Sequence, residues 1–186
     1  MPEFSKALVF AFAAFVGVGA STQTLAATDI KLVNPSFEEP AVGPRAPGWS
    51  PSQHYGPTRN YEWSVDTDVA SEGQASFRIR RLSPQAFGLI NQVVVVASHA
   101  GKTLEFSAML KTDEVGPEGW LLVVNIENRN TILEQVRSVP ATGKQDFKRH
   151  SVRFKLPADA YELKVGVMLL DAGTGWVDDV KLRVLD

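Results

Sequence analysis

The chain has 186 residues and no cysteine, so disulfide bonds and thiolate metal sites are excluded. A strong charge of either sign is also missing, because 19 Lys and Arg residues face 21 Asp and Glu residues for a net charge of −2. Such a balance gives no long-range field for nucleic acid or for an anionic membrane surface. The composition therefore predicts neither a nucleic-acid-binding protein nor a membrane-surface protein.

Motifs of common enzyme classes are missing as well. Gly101-Lys102-Thr103 resembles the end of a phosphate-binding loop, but Val96 stands where that loop requires a glycine. Neither a Gly-x-Ser-x-Gly elbow nor a His-Glu-x-x-His zinc motif occurs. Asp66 and Asp68 share a strand face, which is more typical of a solvated strand end than of a glycosidase pair. We predict a protein that is not an enzyme, with a small carboxylate hydrolase as an alternative.

Only one long apolar run occurs, and it lies at the start of the chain. Residues 7–20 are apolar or small, Lys6 precedes them, and the small residues Ala26 and Ala27 follow a polar stretch. This layout is typical of a secretory signal peptide, and 14 residues are too few for a membrane span, which needs about 20. We therefore predict a signal peptide over 1–27 and a single domain over 28–186. The mature protein is expected to be periplasmic or extracellular, without a membrane span.

A helical period is missing from the rest of the chain, where apolar residues alternate with a period of two. In residues 103–111, Leu104, Phe106, Ala108 and Leu110 share one face, and several other segments repeat the pattern. Half-polar strands of this kind belong to antiparallel sheets with one solvated face. About nine short strands separated by turn residues predict an all-β antiparallel sandwich of the jelly-roll type.

Five segments of the chain occur in an order that is typical of a known family of domains. They are residues 32–39 (LVNPSFEE) with Gly48-Trp49, residues 75–79 (ASFRI), residues 90–93 (INQV) with 101–108 (GKTLEFSA), residues 154–157 (FKLP), and residues 176–182 (WVDDVKL). Together they resemble a galactose-binding-like jelly roll, and most closely the family 4/9 type of carbohydrate-binding module. The resemblance covers residues 30–186. It implies a β-sandwich that recognises carbohydrate, although such domains also occur as modules without a known ligand.

Carboxylate side chains occur in the first and the last of these segments, residues 32–39 and 176–182, which we call the two terminal motifs. Asp178 has the parity of Val180, Leu182 and Val184, so strict alternation predicts that it points inward and needs a partner. In domains that the chain resembles, a structural Ca²⁺ often lies where the first and last strands meet. The resemblance thus implies Glu38, Asp178 and Asp179 as Ca²⁺ ligands. The alternative is that Asp178 accepts hydrogen bonds from backbone N–H groups or from an arginine.

Aromatic residues around a proline-rich segment, residues 39–59, are the candidates for ligand binding. Aromatic rings offer a flat apolar surface to the C–H face of a sugar, and neighbouring polar side chains fix its orientation. A contribution from the central strands is implied by the resemblance. The predicted ligand-binding residues are Tyr55, Arg59, Tyr61, Trp63, Gln92, Trp120 and Asn125. For Trp63 a role in anchoring the core is the alternative, and for Tyr55, Tyr61 and Trp120 the two roles are evenly balanced.

The predicted function is that of an exported, non-catalytic, carbohydrate-binding-like module whose partner is a polysaccharide or other glycan. The alternative is a structural or protein-interaction module of the cell envelope that has the same fold and no sugar site. Met109, Met168 and Leu170 lie opposite to the core parity of their strands and favour this alternative. Sugar binding requires open aromatic rings, whereas a sheet face filled by large aliphatic side chains indicates contact with a protein.

Overall fold

The computed structural model describes residues 27–43, 45–129 and 131–186. The predicted signal peptide lies outside the described residues except for Ala27, so it stays a prediction. These residues form ten strands: β1 (Thr28–Ile30), β2 (Ser50–Gln53), β3 (Tyr61–Asp66), β4 (Ser76–Arg81), β5 (Gly88–Val95), β6 (Thr103–Glu127), β7 (Ile132–Arg137), β8 (Ala141–Lys155), β9 (Glu162–Leu169) and β10 (Thr174–Val184). In the described part of the chain, the one helical element is a 3₁₀ turn at Ala97–His99, and no helix could cross a membrane.

Strand β6 is 25 residues long and belongs to two sheets. Its first half pairs with β10 and β8, and its second half pairs with β9 and β7. Through β6 all ten strands are hydrogen-bonded into one continuous sheet. We call its two layers sheet A, with the strand order β3-β4-β10-β6-β8 and β1 beside the end of β10, and sheet B, with the order β2-β5-β9-β6-β7. All of these pairs are antiparallel. The prediction of an all-β antiparallel sandwich is confirmed.

The core lies between the two sheets and receives alternate side chains from each. Leu104 and Phe106 enter it from sheet A, whereas Trp120, Leu122 and Val124 enter it from sheet B, and all five are completely buried. Because successive side chains of a strand point to opposite faces, a two-residue period in the sequence becomes one dry layer between two sheets. Burial of this layer is the main stabilising contribution to the fold.

The two ends of the chain meet in sheet A. Strand β1 pairs with the end of β10, so that Thr28 lies opposite Val184. Farther along the first motif, the N–H of Val180 donates to the carbonyl oxygen of Pro35 (3.0 Å). Phe37, in a left-handed backbone conformation (φ 57°), is completely buried and packs its ring against Trp49 at 5.2 Å. The two terminal motifs therefore form one structural unit.

A β-bulge between Asp178 and Lys181 breaks the alternation of β10. Val177, Val180 and Leu182 are all core residues, although strict alternation would place Val177 on the opposite face from the other two. The prediction from strict alternation, that the side chain of Asp178 shares the inward face of Val180, is therefore wrong. Asp178 is completely buried, as expected, but its carboxylate contacts the backbone of residues 71–72. Asp179 adopts a positive φ of 44° within the bulge.

We expect Phe37→Ala to lower the free energy of unfolding by about 3–5 kcal/mol, because it leaves a cavity between Trp49 and Phe77. The control is Phe147→Ala, since Phe147 is only partly buried on the outside of sheet A. Urea unfolding of both variants, followed by tryptophan fluorescence, measures the difference. Equal losses in the two variants would contradict the role of Phe37 in joining the terminal motifs.

Candidate functional site

The carboxylate of Asp178 accepts hydrogen bonds from three backbone N–H groups, and two of these groups belong to a loop distant in sequence. The N–H groups of Ser71 (2.8 Å) and Glu72 (3.1 Å) donate to its Oδ2 atom, and the N–H of Asp179 donates to Oδ1 (2.7 Å). Burial raises the pKa of Asp178, and these three hydrogen bonds partly oppose that rise. The alternative stated for Asp178, bonding to backbone N–H groups, is what the structure shows.

Glu38 holds the continuation of the same loop. Its Oε1 atom accepts hydrogen bonds from the N–H groups of Gln74 (2.9 Å) and Ala75 (3.1 Å). Gly73 lies against this carboxylate with a φ of 67°, so a side chain at this position would both strain the backbone and strike Glu38. Residues 71–75, together with the carboxylates of Glu38 and Asp178, are called the carboxylate clamp below.

Asp179, the third predicted Ca²⁺ ligand, is neutralised by two cations. Lys181 donates to its Oδ2 atom at 2.8 Å, and Arg149 forms an ion pair with the same atom. Among the described residues, no group of three or more His, Asp or Glu side chains is placed to hold a metal ion. A hard cation requires oxygen ligands, whereas these carboxylates face N–H donors and cationic side chains. Calcium at this position stays a prediction that the surrounding hydrogen bonds do not support.

Two of the predicted aromatic platforms are core residues, which corrects their assignment. Tyr61 and Trp120 are completely buried, so neither ring offers a face to a ligand. The hydroxyl of Tyr61 lies within hydrogen-bond distance of the carbonyl oxygens of Gln85 and Leu169, and burial raises its pKa. The indole N–H of Trp120 donates to the carbonyl oxygen of Trp176 (3.0 Å). Buried Tyr and Trp residues typically satisfy their polar atoms in this way.

The remaining aromatic candidates do not form one surface. Trp63 lies opposite Ile79 in sheet A and packs against the core, and the guanidinium of Arg59 lies 5.9 Å from its ring centroid. Tyr55 is 80 % exposed on the loop after β2, an edge strand of sheet B. The structure therefore divides the predicted aromatic group between two sheets, with Tyr55 as its most exposed ring.

Gln92 faces inward, which corrects its assignment to the ligand-binding face. It is buried beside Ile90 and Val94 and binds the backbone of Val33 twice: the N–H of Val33 donates to Oε1 (2.8 Å), and Nε2 donates to the carbonyl oxygen (2.9 Å). Its neighbour Asn91 has the outward parity instead. Because β5 is apolar on both faces, the sequence could not indicate which of the two polar residues points outward.

Asn125 does lie on an outward face, and the strand register shows what surrounds it. We call the side of sheet B that is turned away from the core the outer face. The first row of side chains across it consists of Ser52, Leu89, Met168 and Leu121; the second of Ser50, Asn91, Gly166, Val123 and Arg137; the third of Val93, Lys164, Asn125 and Gln135; and the fourth of Val95, Glu162, Glu127 and Ile132. Successive rows are about 7 Å apart, the rise of two strand residues.

A hydrogen-bonded series of polar side chains occupies the second and third rows. Nε of Arg137 donates to Oε1 of Gln135 (2.8 Å), and Nε2 of Gln135 donates to Oδ1 of Asn125 (2.7 Å). In the next row Glu127 is buried, and its Oε2 atom accepts a hydrogen bond from Lys164 (2.9 Å). Its Oε1 atom is buried without a partner. These residues form the polar half of the outer face, and the exposed side chains of Val93, Val95 and Ile132 lie in the same rows.

Aliphatic side chains occupy the other half. Leu121, Val123 and Met168 are buried there as a cluster separate from the main core, and Phe87, Leu89 and Leu170 pack around them, partly exposed. The ring of His54 meets Phe87 edge-on at 5.5 Å. The outward position expected for Met168 and Leu170 agrees with this cluster, whereas Met109 lies on sheet A opposite Arg149. Of the residues in this apolar half, only Met168 and Leu170 were predicted from the sequence to point outward.

Sequence reasoning missed most of the polar half. Lys164, Gln135 and Arg137 come from strands β9 and β7, and β7 is half-exposed on both sides with no clear alternation. The one available signal was the alternation in β9. There Lys164, Gly166 and Met168 alternate with the apolar residues at positions 163, 165, 167 and 169. A period of two identifies the outward residues of one strand, but it does not tell which strands are neighbours.

No protein-family model matches the chain, and no curated protein sequence matches it. Solved structures do resemble it. A cyclase from Fischerella sp. TAU shares 15 % identity at a TM-score of 0.63, over 86 % of this chain and 98 % of the cyclase. The C-terminal family 22 carbohydrate-binding module of Clostridium thermocellum Xyn10B shares 15 % identity at a TM-score of 0.53, over 81 % of this chain and 90 % of the module.

A third similar structure is the enzymatically active domain of tailspike protein 4 from bacteriophage CBA120. It shares 13 % identity at a TM-score of 0.64, over 82 % of this chain. The chain spans only 21 % of that domain's length. At such identities the likeness concerns the fold, and it confirms the jelly-roll sandwich that the five sequence segments imply. Both enzymes and a binding module occur among these structures, so the fold by itself does not assign an activity.

We expect Asp178→Asn to lower the free energy of unfolding by about 1–3 kcal/mol, because an amide has one accepting oxygen and its NH₂ group must then face either the N–H groups of Ser71 and Glu72 or that of Asp179. Asp146→Asn is the matched control, since the Asp146 side chain is 96 % exposed and an exposed ion pair contributes little. Urea unfolding at pH 7 compares the two variants. A loss no larger than that of the control would contradict the carboxylate clamp.

The raised pKa of Asp178 predicts a pH dependence. In the folded state this carboxyl binds its proton more tightly than at its ordinary pKa of 3.8, so its contribution to stability is present below that value. The contribution is lost as the pH rises through the raised pKa. The stability difference between the wild type and Asp178→Asn is therefore expected to shrink as the pH rises above about 4. A difference that grows over this range, measured by urea unfolding, would contradict the direction of the shift.

Proposed function

We propose that this protein is a non-catalytic carbohydrate-binding module and that the outer face of sheet B contacts the glycan. The observation that carries the proposal is the series Arg137, Gln135 and Asn125, in which each side chain orients the next by a hydrogen bond on an open sheet face. Pre-oriented amide and guanidinium groups suit a ligand that is rich in hydroxyl groups, because each hydroxyl both donates and accepts a hydrogen bond.

Charge on this face also suits a neutral glycan. Lys164 is paired with Glu127, so the pair adds no net charge, while each member retains hydrogen-bonding capacity. The exposed ring of Tyr55, on the loop after the edge strand β2, offers a stacking surface near the end of the same sheet.

The carboxylates of the described chain favour binding over catalysis. Asp66, one of the two acids weighed as a hydrolase pair, accepts hydrogen bonds from the indole N–H of Trp176 (2.8 Å) and from the N–H of Asp68 (3.0 Å). A glycosidase needs two carboxyl groups that converge on a substrate, and Asp66 is instead tied to the fold by these donors. Export to the periplasm or the cell exterior, where polysaccharides are met, remains part of the proposal and depends on the predicted signal peptide.

A second candidate function is protein interaction within the cell envelope, and the apolar half of the outer face favours it. Phe87, Leu89 and Leu170 are partly exposed around the buried apolar cluster, and adjoining exposed apolar side chains are typical of a protein-contact surface. A photo-reactive amino acid at position 89, compared with one at the half-exposed position 82, tests this candidate. A protein adduct formed only from position 89 would support protein interaction.

The primary proposal is tested by calorimetric titration with xylohexaose and with a panel of other neutral oligosaccharides. Xylohexaose is included because the CBM22-1-GH10 modules of Clostridium thermocellum Xyn10B, part of which is structurally similar to this chain, were solved in complex with it. We expect measurable binding by the wild type and a roughly tenfold loss in Gln135→Ala, about 1.4 kcal/mol. Gln74→Ala, which truncates an exposed glutamine away from sheet B, is the matched control. Absence of binding across the panel, or equal binding by both variants, would refute the proposed site.

A further inference from the structure

A cleft of about 530 Å³ lies on the outside of sheet A, on the opposite side of the sandwich from the proposed glycan surface. The loop after β3 forms one wall with residues 68–71, and strands β6 and β8 contribute Met109, Lys111, Asp146 and Phe147. Each of these residues is exposed or partly exposed, so the cleft is open to a ligand from solvent. Its volume lies in the range of small-molecule sites.

A β-bulge in β8 shapes the floor of this cleft. The pairing of β6 with β8 shifts in register between Leu110 and Thr112. Two residues of β8, Asp146 and Phe147, therefore lie opposite the single residue Lys111. Bulges redirect side chains and are frequent next to active sites. This bulge brings an aromatic ring and a carboxylate to the same cleft.

The loop that forms the wall of the cleft is tied to sheet A along its whole length. At its start, the indole N–H of Trp176 donates to the carboxylate of Asp66 (2.8 Å). In its middle, the hydroxyl of Ser76 donates to the carbonyl oxygen of Val69 (2.6 Å). At its end, the carboxylate clamp binds four backbone N–H groups. A wall that is fixed in this way loses little conformational entropy when a ligand binds.

The charges of the cleft leave one carboxylate without a cation. Lys111 forms an ion pair with Asp146 (2.6 Å), and Arg149, on the same side of β8, is paired with Asp179. In the part of the chain that the structure describes, the carboxylate of Asp68 has neither an ion pair nor a hydrogen bond. The cleft therefore has one more carboxylate than ammonium groups.

We propose that this cleft binds a small organic amine, in its protonated form, that carries an aromatic body. The carboxylates of Asp68 and Asp146 attract the ammonium group. The aromatic body packs on Phe147 and Met109, because a thioether sulfur makes favourable contacts with aromatic rings. The face of the Phe147 ring also attracts a cation. This binding site is additional to the proposed glycan surface and does not depend on it.

An amine fits the charges of this cleft better than an acid or an uncharged molecule does. Residues 67–75, which form the loop wall, contain two carboxylates and no Lys or Arg. An acid would be repelled by Asp68, and the one ammonium group of the cleft, on Lys111, is already paired. An uncharged molecule forms only the weaker of the two kinds of hydrogen bond with Asp68, since bonds between two charged groups are stronger.

The experiment compares three probes with one aromatic body: phenethylamine, which is protonated at pH 7, the neutral 2-phenylethanol and the anionic 3-phenylpropionate. Each is titrated into the protein labelled with ¹³C at its methionine methyl groups. Met109 lines the cleft, whereas Met168 lies on sheet B and is an internal control in the same molecule. We expect phenethylamine to shift the Met109 signal and to bind about fivefold more tightly than 2-phenylethanol, with 3-phenylpropionate the weakest. The Met168 signal should not move.

Three variants separate the contribution of charge from that of the apolar floor. Asp68→Asn should remove the fivefold advantage of phenethylamine and leave the affinity for 2-phenylethanol unchanged. Asp159→Asn, at an exposed carboxylate outside the cleft, is the matched control and should change neither. Phe147→Ala should weaken the binding of both probes, because both pack on this ring. High concentrations of NaCl should weaken only the binding of phenethylamine. Should a variant not fold, the Met109 shifts of the wild type still decide the question.

Several results would overturn the inference. Equal affinity of the wild type for phenethylamine and 2-phenylethanol would show that the carboxylates play no part, and so would undiminished binding of the amine by Asp68→Asn. Equal shifts of the Met109 and Met168 signals would indicate contact without a site. A Met109 shift caused by xylohexaose and not by phenethylamine would assign the cleft to a glycan instead. Failure of the amine to bind leaves the glycan proposal standing, because that surface lies on sheet B.

Discussion

Two carboxylates and four backbone N–H groups connect the ends of this chain to its middle. Glu38 comes from the first motif and Asp178 from the last, and both bind residues 71–75, the segment that leads into β4. Without such acceptors the N–H groups of this loop would be left to find partners elsewhere, at a cost of about 1–3 kcal/mol for each buried group. Because β4 and β10 pair in sheet A, the clamp also determines how the loop enters that sheet.

The shared strand β6 is the second constraint, since it ties the two sheets together covalently. Its first half carries Leu104 and Phe106 into the core from one side, and its second half carries Leu122 and Val124 from the other. Alternation on each half fills the same apolar layer, so a displacement of β6 in either sheet would disturb both. The outer face of sheet B consequently rests on a strand that is paired along both of its halves, which restricts the movement of polar groups such as Asn125.

Division of the outer face into polar and apolar halves follows from this arrangement. Strand β9 supplies both Lys164 and Met168, and strand β6 supplies both Asn125 and Leu121, so each of these two central strands contributes to both parts of the face. The central members of the aliphatic cluster are buried, so their packing on this side of sheet B contributes to the stability of the fold.

The sequence alone determined the class of fold, because a period of two and the order of the terminal motifs are local properties that a chain carries in its residues. It also showed that Asp178 must be buried with a partner. Tertiary structure alone decided the partner and the direction, since a bulge shifted the register and a loop distant in sequence supplied the N–H groups. It likewise decided that Tyr61 and Trp120 are core and that Asn125 meets Gln135, because neighbours across strands are set by pairing and not by chain order.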